Sequence, residues 1–131
     1  HEWFESQALA AASDFLVIAT PGGSGTQHLI DAGVLEALGP EGFLVNIARA
    51  SVVDTQALVS ALQNEQIAGA ALDVFDDEPT VPNVFKTLGN VVLTPHVAGL
   101  SPEASRDSVQ MVNDNLLAFF AGQPVLTPVT E

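Results

Sequence analysis

The sequence predicts an α/β chain built on a parallel sheet flanked by helices, and three observations carry that expectation. Short, β-branched apolar runs alternate with helical patterns along most of the chain. The first run, Phe15-Leu16-Val17-Ile18-Ala19, is continuously apolar, as expected for a strand covered on both faces. The helical stretches carry their own start and stop residues. A length of 131 residues suits one ordinary domain and is too short for two, and 47% apolar residues suffice for a packed core.

Taken in order, the Phe15 to Ala19 strand leads to a helix bounded by Asp31, an N-cap type, and by the stop pair Gly39-Pro40. Phe43-Leu44-Val45 is a second strand. Asp54 can cap the next helix, in which Ala57, Leu58, Ala61 and Leu62 form one apolar stripe. Ala68 to Leu72 gives a third strand and Val91-Val92-Leu93 a fourth. Ser101-Pro102-Glu103 then supplies an N-cap, a proline for the first helical position and an acid for the first turn. That last helix is expected to bury Val109, Val112, Leu116 and Phe120 and to end near Gly122.

Composition removes several classes of function. Sixteen acidic residues face three basic ones, so nucleic acid is not an expected partner: a polyphosphate would be repelled, and no cluster of Lys and Arg is present. A membrane is not expected either, because the longest apolar runs fall far short of the ~20 residues that span a bilayer. No leader pattern opens the chain, and the cytoplasm is the default compartment. The absence of cysteine excludes thiol catalysis and thiolate metal sites. His1, His28 and His96 show no metal-ligand spacing, so no metal is expected.

Ligands of open parallel sheets bind beyond the carboxyl ends of the strands. Those ends read Thr20-Pro21, Asn46-Ile47-Ala48-Arg49, Asp73 with Glu78 beyond it, and Thr94-Pro95-His96. An arginine, carboxylates and a histidine thus fall on one predicted rim. Arg49 offers a planar fork suited to the carboxylate of a small organic acid. The same position suits a structural arginine whose stem snorkels off a strand end, and position alone does not separate the two. His96 has a side chain able to give or take a proton near neutrality, although a lone histidine is more often structural. Glu78 shifts that balance, because a carboxylate beside an imidazole stabilises its protonated form and raises its pKa. Without His96, Glu78 would read as one solvated acid in Asp76-Asp77-Glu78. Asp73 ends a strand where a buried carboxylate is costly unless hydrogen-bonded, by a ligand amide or by a nearby backbone turn. Gly22-Gly23-Ser24-Gly25 suggests a phosphate loop, but His28 stands where the third glycine would be and no Lys-Ser or Lys-Thr follows. A tight turn is the better reading.

Three stretches also carry a resemblance. Leu44-Val45-Asn46-Ile47-Ala48-Arg49, Gly69 to Phe75 with Glu78-Pro79, and Thr94-Pro95-His96-Val97-Ala98-Gly99 resemble, in order and spacing, signatures of the D-isomer-specific 2-hydroxyacid dehydrogenases. The resemblance implies a Rossmann-like sheet, NAD or NADP as cofactor, and a small 2-keto or 2-hydroxy acid as substrate. It implies that Arg49 binds and polarises the keto acid, that His96 is the acid–base residue, and that Glu78 pairs with it. It further implies that Asp73 contacts the nicotinamide amide. Thr20, Pro21, Ile47, Ala48 and the segment from His96 to Gly99 would line the cofactor, with Arg49 adjoining them. Ala50 departs from the family's usual glycine. Gly22-Gly23 replaces the usual leucine-threonine pair, in a manner similar to the glyoxylate/hydroxypyruvate reductase branch.

In a full-length relative, the substrate domain, the G-x-G-x-x-G loop and the residue reading the adenosine ribose precede the position of His1. The chain is therefore expected to be a C-terminal piece lacking the first βαβ unit and the substrate domain. Residues 1–100 would complete the NAD(P)-binding domain. Residues 101–131 would return to the substrate domain, leaving apolar surface exposed on this chain. A homodimer is expected of the full-length protein. The competing readings are a non-catalytic NAD(H)-sensing or scaffold protein on the same fold and an inactive piece, since fold alone does not decide function.

Overall fold

The computed structural model describes residues 6–129, so His1 lies outside the described residues. The chain divides into two compact units, the first ending at Val97 and the second beginning at Ala98.

The first unit holds four strands: β1 (Phe15–Ile18), β2 (Phe43–Asn46), β3 (Gly69–Leu72) and β4 (Val91–Leu93). They pair in the order β1-β2-β3-β4, and every pair is parallel. The register sets Ile18 opposite Asn46, Asn46 opposite Leu72, and Leu72 opposite Leu93. All four carboxyl ends therefore finish in line. The helices of this unit are α1 (Ser6–Ala11), α2 (Ala32–Leu38), α3 (Thr55–Gln63) and α4 (Asn83–Lys86). A 3₁₀ turn covers Ala50–Val52.

The capping expected from the sequence is present. The Asp31 carboxylate accepts from Val34 N at 3.0 Å, and Gly39 ends α2 at φ 78°, a backbone region that favours glycine. Asp54 accepts from Gln56 N and Ala57 N, both at 3.0 Å, satisfying two donors that the first turn of α3 leaves open. Leu58, Ala61 and Leu62 are buried and Ala57 packs at the edge of the core, so the stripe does face inward. Leu16, Ile18, Leu44 and Leu72 meet Val34, Leu35, Leu58 and Leu62 in one core. The short α4 and α1 were not expected. Phe85, 4% exposed, anchors the single turn of α4, and Ala10 anchors α1, so packing rather than sequence period defines both.

The expectation that β1 is covered on both faces is corrected. Leu16 and Ile18 are buried while Phe15 and Val17 are 64% and 54% exposed. Phe43 and Val92 are also exposed, and the Phe15 and Phe43 rings stack at 5.2 Å between centroids. The cause is topological. Right-handed crossovers, the rule for parallel strands, put successive helices on the same face when the strands follow in order. No described helix of the first unit covers the other face of this sheet.

The second unit is α5 (Pro102–Phe120) and a tail. Ser101 accepts from Ala104 N at 3.0 Å, with Pro102 and Glu103 in the first turn as expected. Asn115 ties down the tail, accepting from Thr127 N at 3.1 Å and donating to its hydroxyl at 2.9 Å. The expectation that Val109, Val112, Leu116 and Phe120 are buried is corrected: no residue of α5 is buried, and Phe120 is 81% exposed. A 3.6-residue stripe shows which face of a helix seeks cover, not whether the chain supplies it. The expected exposed apolar surface is thus present.

Replacing Asp54 with alanine removes the cap of α3 without touching the core. We expect Asp54→Ala to lower unfolding free energy by about 1 kcal/mol, read as a lower denaturation midpoint with an unchanged slope.

Candidate active site

The line of strand ends places the turns after β2, β3 and β4 along one rim. Asn46, 2% exposed, shapes the first of them. Its Oδ1 accepts from Ala48 N at 3.0 Å and its Nδ2 donates to the Arg49 carbonyl at 3.1 Å, closing the chain into a side-chain-held turn. Arg49 follows and is exposed, with Nη1 donating to the Ala48 carbonyl at 2.6 Å. No ion pair engages its guanidinium among the described residues. Ala50, the departure from the family pattern, is accommodated because it begins a 3₁₀ turn and needs no left-handed backbone.

The turns after β3 and β4 are joined by a carboxylate. Asp73, 3% exposed, accepts through Oδ1 from the Thr94 hydroxyl and from Val97 N, the latter at 2.9 Å. These two donors flank Pro95 and His96. Between them, His96 adopts φ 55°, a left-handed conformation that costs a residue with a Cβ about 1–3 kcal/mol and persists only where surroundings over-determine it. Asp73 supplies that constraint on the backbone. Glu78 supplies it on the ring: Oε2 lies 2.7 Å from His96 Nδ1. Glu78 is itself held, since Oε1 accepts from Phe75 N at 3.0 Å. A carboxylate can only accept, so Nδ1 carries hydrogen and Nε2 is left for a reacting partner.

Of the residues singled out from sequence, Glu78 and His96 are in direct contact, and the Arg49 charge is close enough to act on the Glu78 carboxyl. That carboxyl is held below its ordinary 4.5, chiefly by the hydrogen bond to His96, then by the Phe75 N–H. Desolvation opposes this, while the charges of His96 and Arg49 add to it. Thr20, Pro21, Ile47, Ala48 and Arg49 line one open cleft of ≈ 820 Å³ across the ends of β1 and β2. The Thr20 hydroxyl is buried there without a hydrogen-bond partner among the described residues. A second recess of ≈ 340 Å³ is lined by Phe75, Glu78, Pro79, Val81, Pro95 and His96. Gly99 belongs to the second unit. The glycine-rich stretch makes a turn, as expected: Thr26 N donates to the Gly23 carbonyl at 3.1 Å and the Thr26 hydroxyl to the Pro21 carbonyl at 2.8 Å. Sequence reasoning placed Asn46 and Thr94 at strand ends but gave them no role; the signal was a polar residue closing each apolar strand immediately before a turn. Among the described residues, no group of three or more His, Asp or Glu is placed to hold a metal ion. No described helix is long and apolar enough to cross a membrane.

Residues 1–98 match the family model of the D-isomer specific 2-hydroxyacid dehydrogenase, NAD binding domain. The chain belongs to this family. It is 48% identical over 123 residues to the 2-ketogluconate reductase of Gluconobacter oxydans, covering 94% of this chain and 40% of that protein. It is 46% identical over 121 residues to glyoxylate/hydroxypyruvate reductase A of Arabidopsis thaliana, covering 92% and 39%. Among solved structures, the NADPH-dependent glyoxylate/hydroxypyruvate reductase of Sinorhizobium meliloti, in complex with NADP and malonate, superposes with a TM-score of 0.87. Identity there is 46%, over 95% of this chain and 39% of that one. The chain thus spans about 40% of the length of the curated relatives it matches. The expected parallel α/β, Rossmann-like sheet is the fold of these family members.

The lowered Glu78 pKa has a defined consequence. A carboxyl whose folded-state pKa lies below its unfolded value adds stability that is complete above about pH 4.5 and is lost as pH falls through the lowered value. Glu78→Gln removes that contribution. The stability gap between wild type and Glu78→Gln is therefore expected to close on acidification, and a carbon-detected titration should place the Glu78 midpoint below 4.5.

Proposed function

We propose that this chain carries the catalytic acid–base pair and the acid-binding arginine of an oxidoreductase that interconverts a small 2-keto acid and its 2-hydroxy acid with NAD(H) or NADP(H). The observation that carries the proposal is the Glu78–His96 pair, held at 2.7 Å on the same rim as an arginine that has no ion-pair partner among the described residues. The isolated piece is read as inactive, and the activity belongs to the complete protein.

Arg49 binds the substrate carboxylate through its guanidinium fork and draws electron density from the keto group. His96 donates the Nε2 proton to the keto oxygen as the carbon is reduced, which leaves a hydroxyl and a neutral ring that regains its proton from solvent. Glu78 keeps the ring oriented and balances its charge through Nδ1. When bound, the cofactor supplies the hydride that adds to the keto carbon. The residues present fit that group in part. The buried Thr20 hydroxyl, which has no hydrogen-bond partner among the described residues, suits the polar edge of a ligand lying across the ends of β1 and β2. Thr20, Pro21, Ile47, Ala48, Arg49, His96 and Gly99 are assigned to line it, with Asp73 toward the nicotinamide amide. A glycine-rich loop for the pyrophosphate is not among these residues, because His28 interrupts the only candidate.

The names of the relatives, including several glyoxylate reductases, support glyoxylate or hydroxypyruvate as substrate. Residues 1–100 are assigned to the NAD(P)-binding domain and residues 101–131 to a return toward the substrate domain. The exposed apolar side of α5 supports the second assignment. A homodimer in the cytoplasm completes the proposal.

In the intact parent protein, His96→Ala is expected to lower keto-acid-dependent NAD(P)H oxidation by about 10²–10⁴-fold; undiminished turnover would remove His96 as the acid. Residues 1–131 alone are expected to bind NADPH negligibly in calorimetry, and micromolar affinity would show that the pyrophosphate loop is dispensable.

A further inference from the structure

We propose that Asn46 is a positioning residue for the Arg49 guanidinium: its buried amide fastens the chain on both sides of the carbonyl against which the guanidinium rests. The inference depends on the role given to Arg49 above. Leu44 and Asn46 are the buried residues of β2, and Asn46 closes the strand. Level with it in the sheet stand Ile18 and Leu72, both 4% exposed. A leucine at this position would extend the core, whereas an amide lowers stability there unless it is hydrogen-bonded. Among the described residues, the buried polar ones are Asn46 and Asp73, and both lie at the rim. The core has no need of an amide at position 46; the turn does.

The contacts form a closed circuit. Arg49 Nη1 donates to the Ala48 carbonyl at 2.6 Å. With no ion pair among the described residues, the guanidinium takes its direction from that oxygen. The oxygen belongs to the planar peptide joining Ala48 to Arg49 and turns only when that plane turns. Asn46 holds the chain on either side of the plane. Its Oδ1 accepts from Ala48 N at 3.0 Å, and its Nδ2 donates to the Arg49 carbonyl at 3.1 Å. Val52 N donates to the same carbonyl at 3.2 Å, which occupies the second lone pair. The amide fits one way only, because its reverse would set donor against donor and acceptor against acceptor. Rotation of the plane would break one of these bonds, so the Ala48 oxygen stays where Nη1 finds it.

Asn46→Leu keeps volume and burial and removes both side-chain hydrogen bonds. Asn46→Ser, which has one polar atom in place of two, is the second variant should leucine disturb folding. In the intact parent at saturating NAD(P)H, either is expected to lower kcat/KM for glyoxylate by about tenfold to a hundredfold, the cost of a misplaced binding group. In an Arg49→Ala background the same substitution should change kcat/KM by less than about twofold, because a residue acting through Arg49 then has nothing to place. A loss of equal size in both backgrounds is what general weakening of the fold or of the cofactor cleft produces, and it would overturn the proposal.

A second readout needs no turnover. The chain holds two arginines, Arg49 and Arg106. With ¹⁵N-arginine labelling, the side-chain Nε–H spectrum has two signals, which Arg49→Lys assigns. Asn46→Leu should shift or broaden the Arg49 signal while the Arg106 signal and the backbone resonances of α2 are retained. An unmoved Arg49 signal in a folded variant would also overturn the proposal. Undiminished glyoxylate reduction by Arg49→Ala itself would instead dismiss the function given to Arg49, and the Arg49 signal would then decide the role of Asn46 alone.

Discussion

The in-line parallel register of the four strands is the constraint from which the rest follows. Ile18, Asn46, Leu72 and Leu93 share one level, so the turns that follow them must leave the sheet at the same edge. Residues far apart in sequence then need only short, stiff turns to meet. A one-residue slip of a strand would reverse which of its side chains face the core, and burying Leu16, Leu44 and Leu72 together penalises it. Placement of the candidate site is thus guarded by the hydrophobic core beneath it.

Within that frame, the segment from Asp73 to Glu78 fixes the histidine twice. Asp73 holds the Thr94 hydroxyl and the Val97 N–H on either side of His96, and Glu78 holds the ring. Two anchors on one short stretch leave the imidazole little freedom to turn away. Order of this kind is worth more to an enzyme than to a surface histidine, because a reacting group held in place has already lost the entropy that approach would cost. The same two anchors hold the strained backbone at His96 in place.

Much of this was legible in the sequence because it depends on local chemistry. The caps at Asp31, Asp54 and Ser101 were readable, since a short polar side chain before an apolar period has one common use. The strands were readable as apolar runs, and the rim followed from where those runs stop. What sequence did not convey was the environment on the far side of an element. Phe15 and Val17 look like core residues, and so do Val109 and Phe120, yet each points away from what this chain provides. Nor could spacing show that Asn46 would curl back on Arg49, that Thr94 would reach Asp73, or that Phe85 would stabilise a single helical turn. Those are decided by tertiary contacts that local propensity does not encode.

The bare face of the sheet has a consequence for how copies of the chain meet. Phe15, Val17, Phe43 and Val92 form a surface that would adhere to any apolar neighbour. Opposing this is a net charge of −13, which pushes like molecules apart before short-range attraction can act. Such repulsion reaches only about one Debye length, ~10 Å at ~0.1 M salt and ~3 Å at ~1 M. Ionic strength therefore governs whether the chain stays dispersed: dilute buffer preserves the separation that concentrated salt removes.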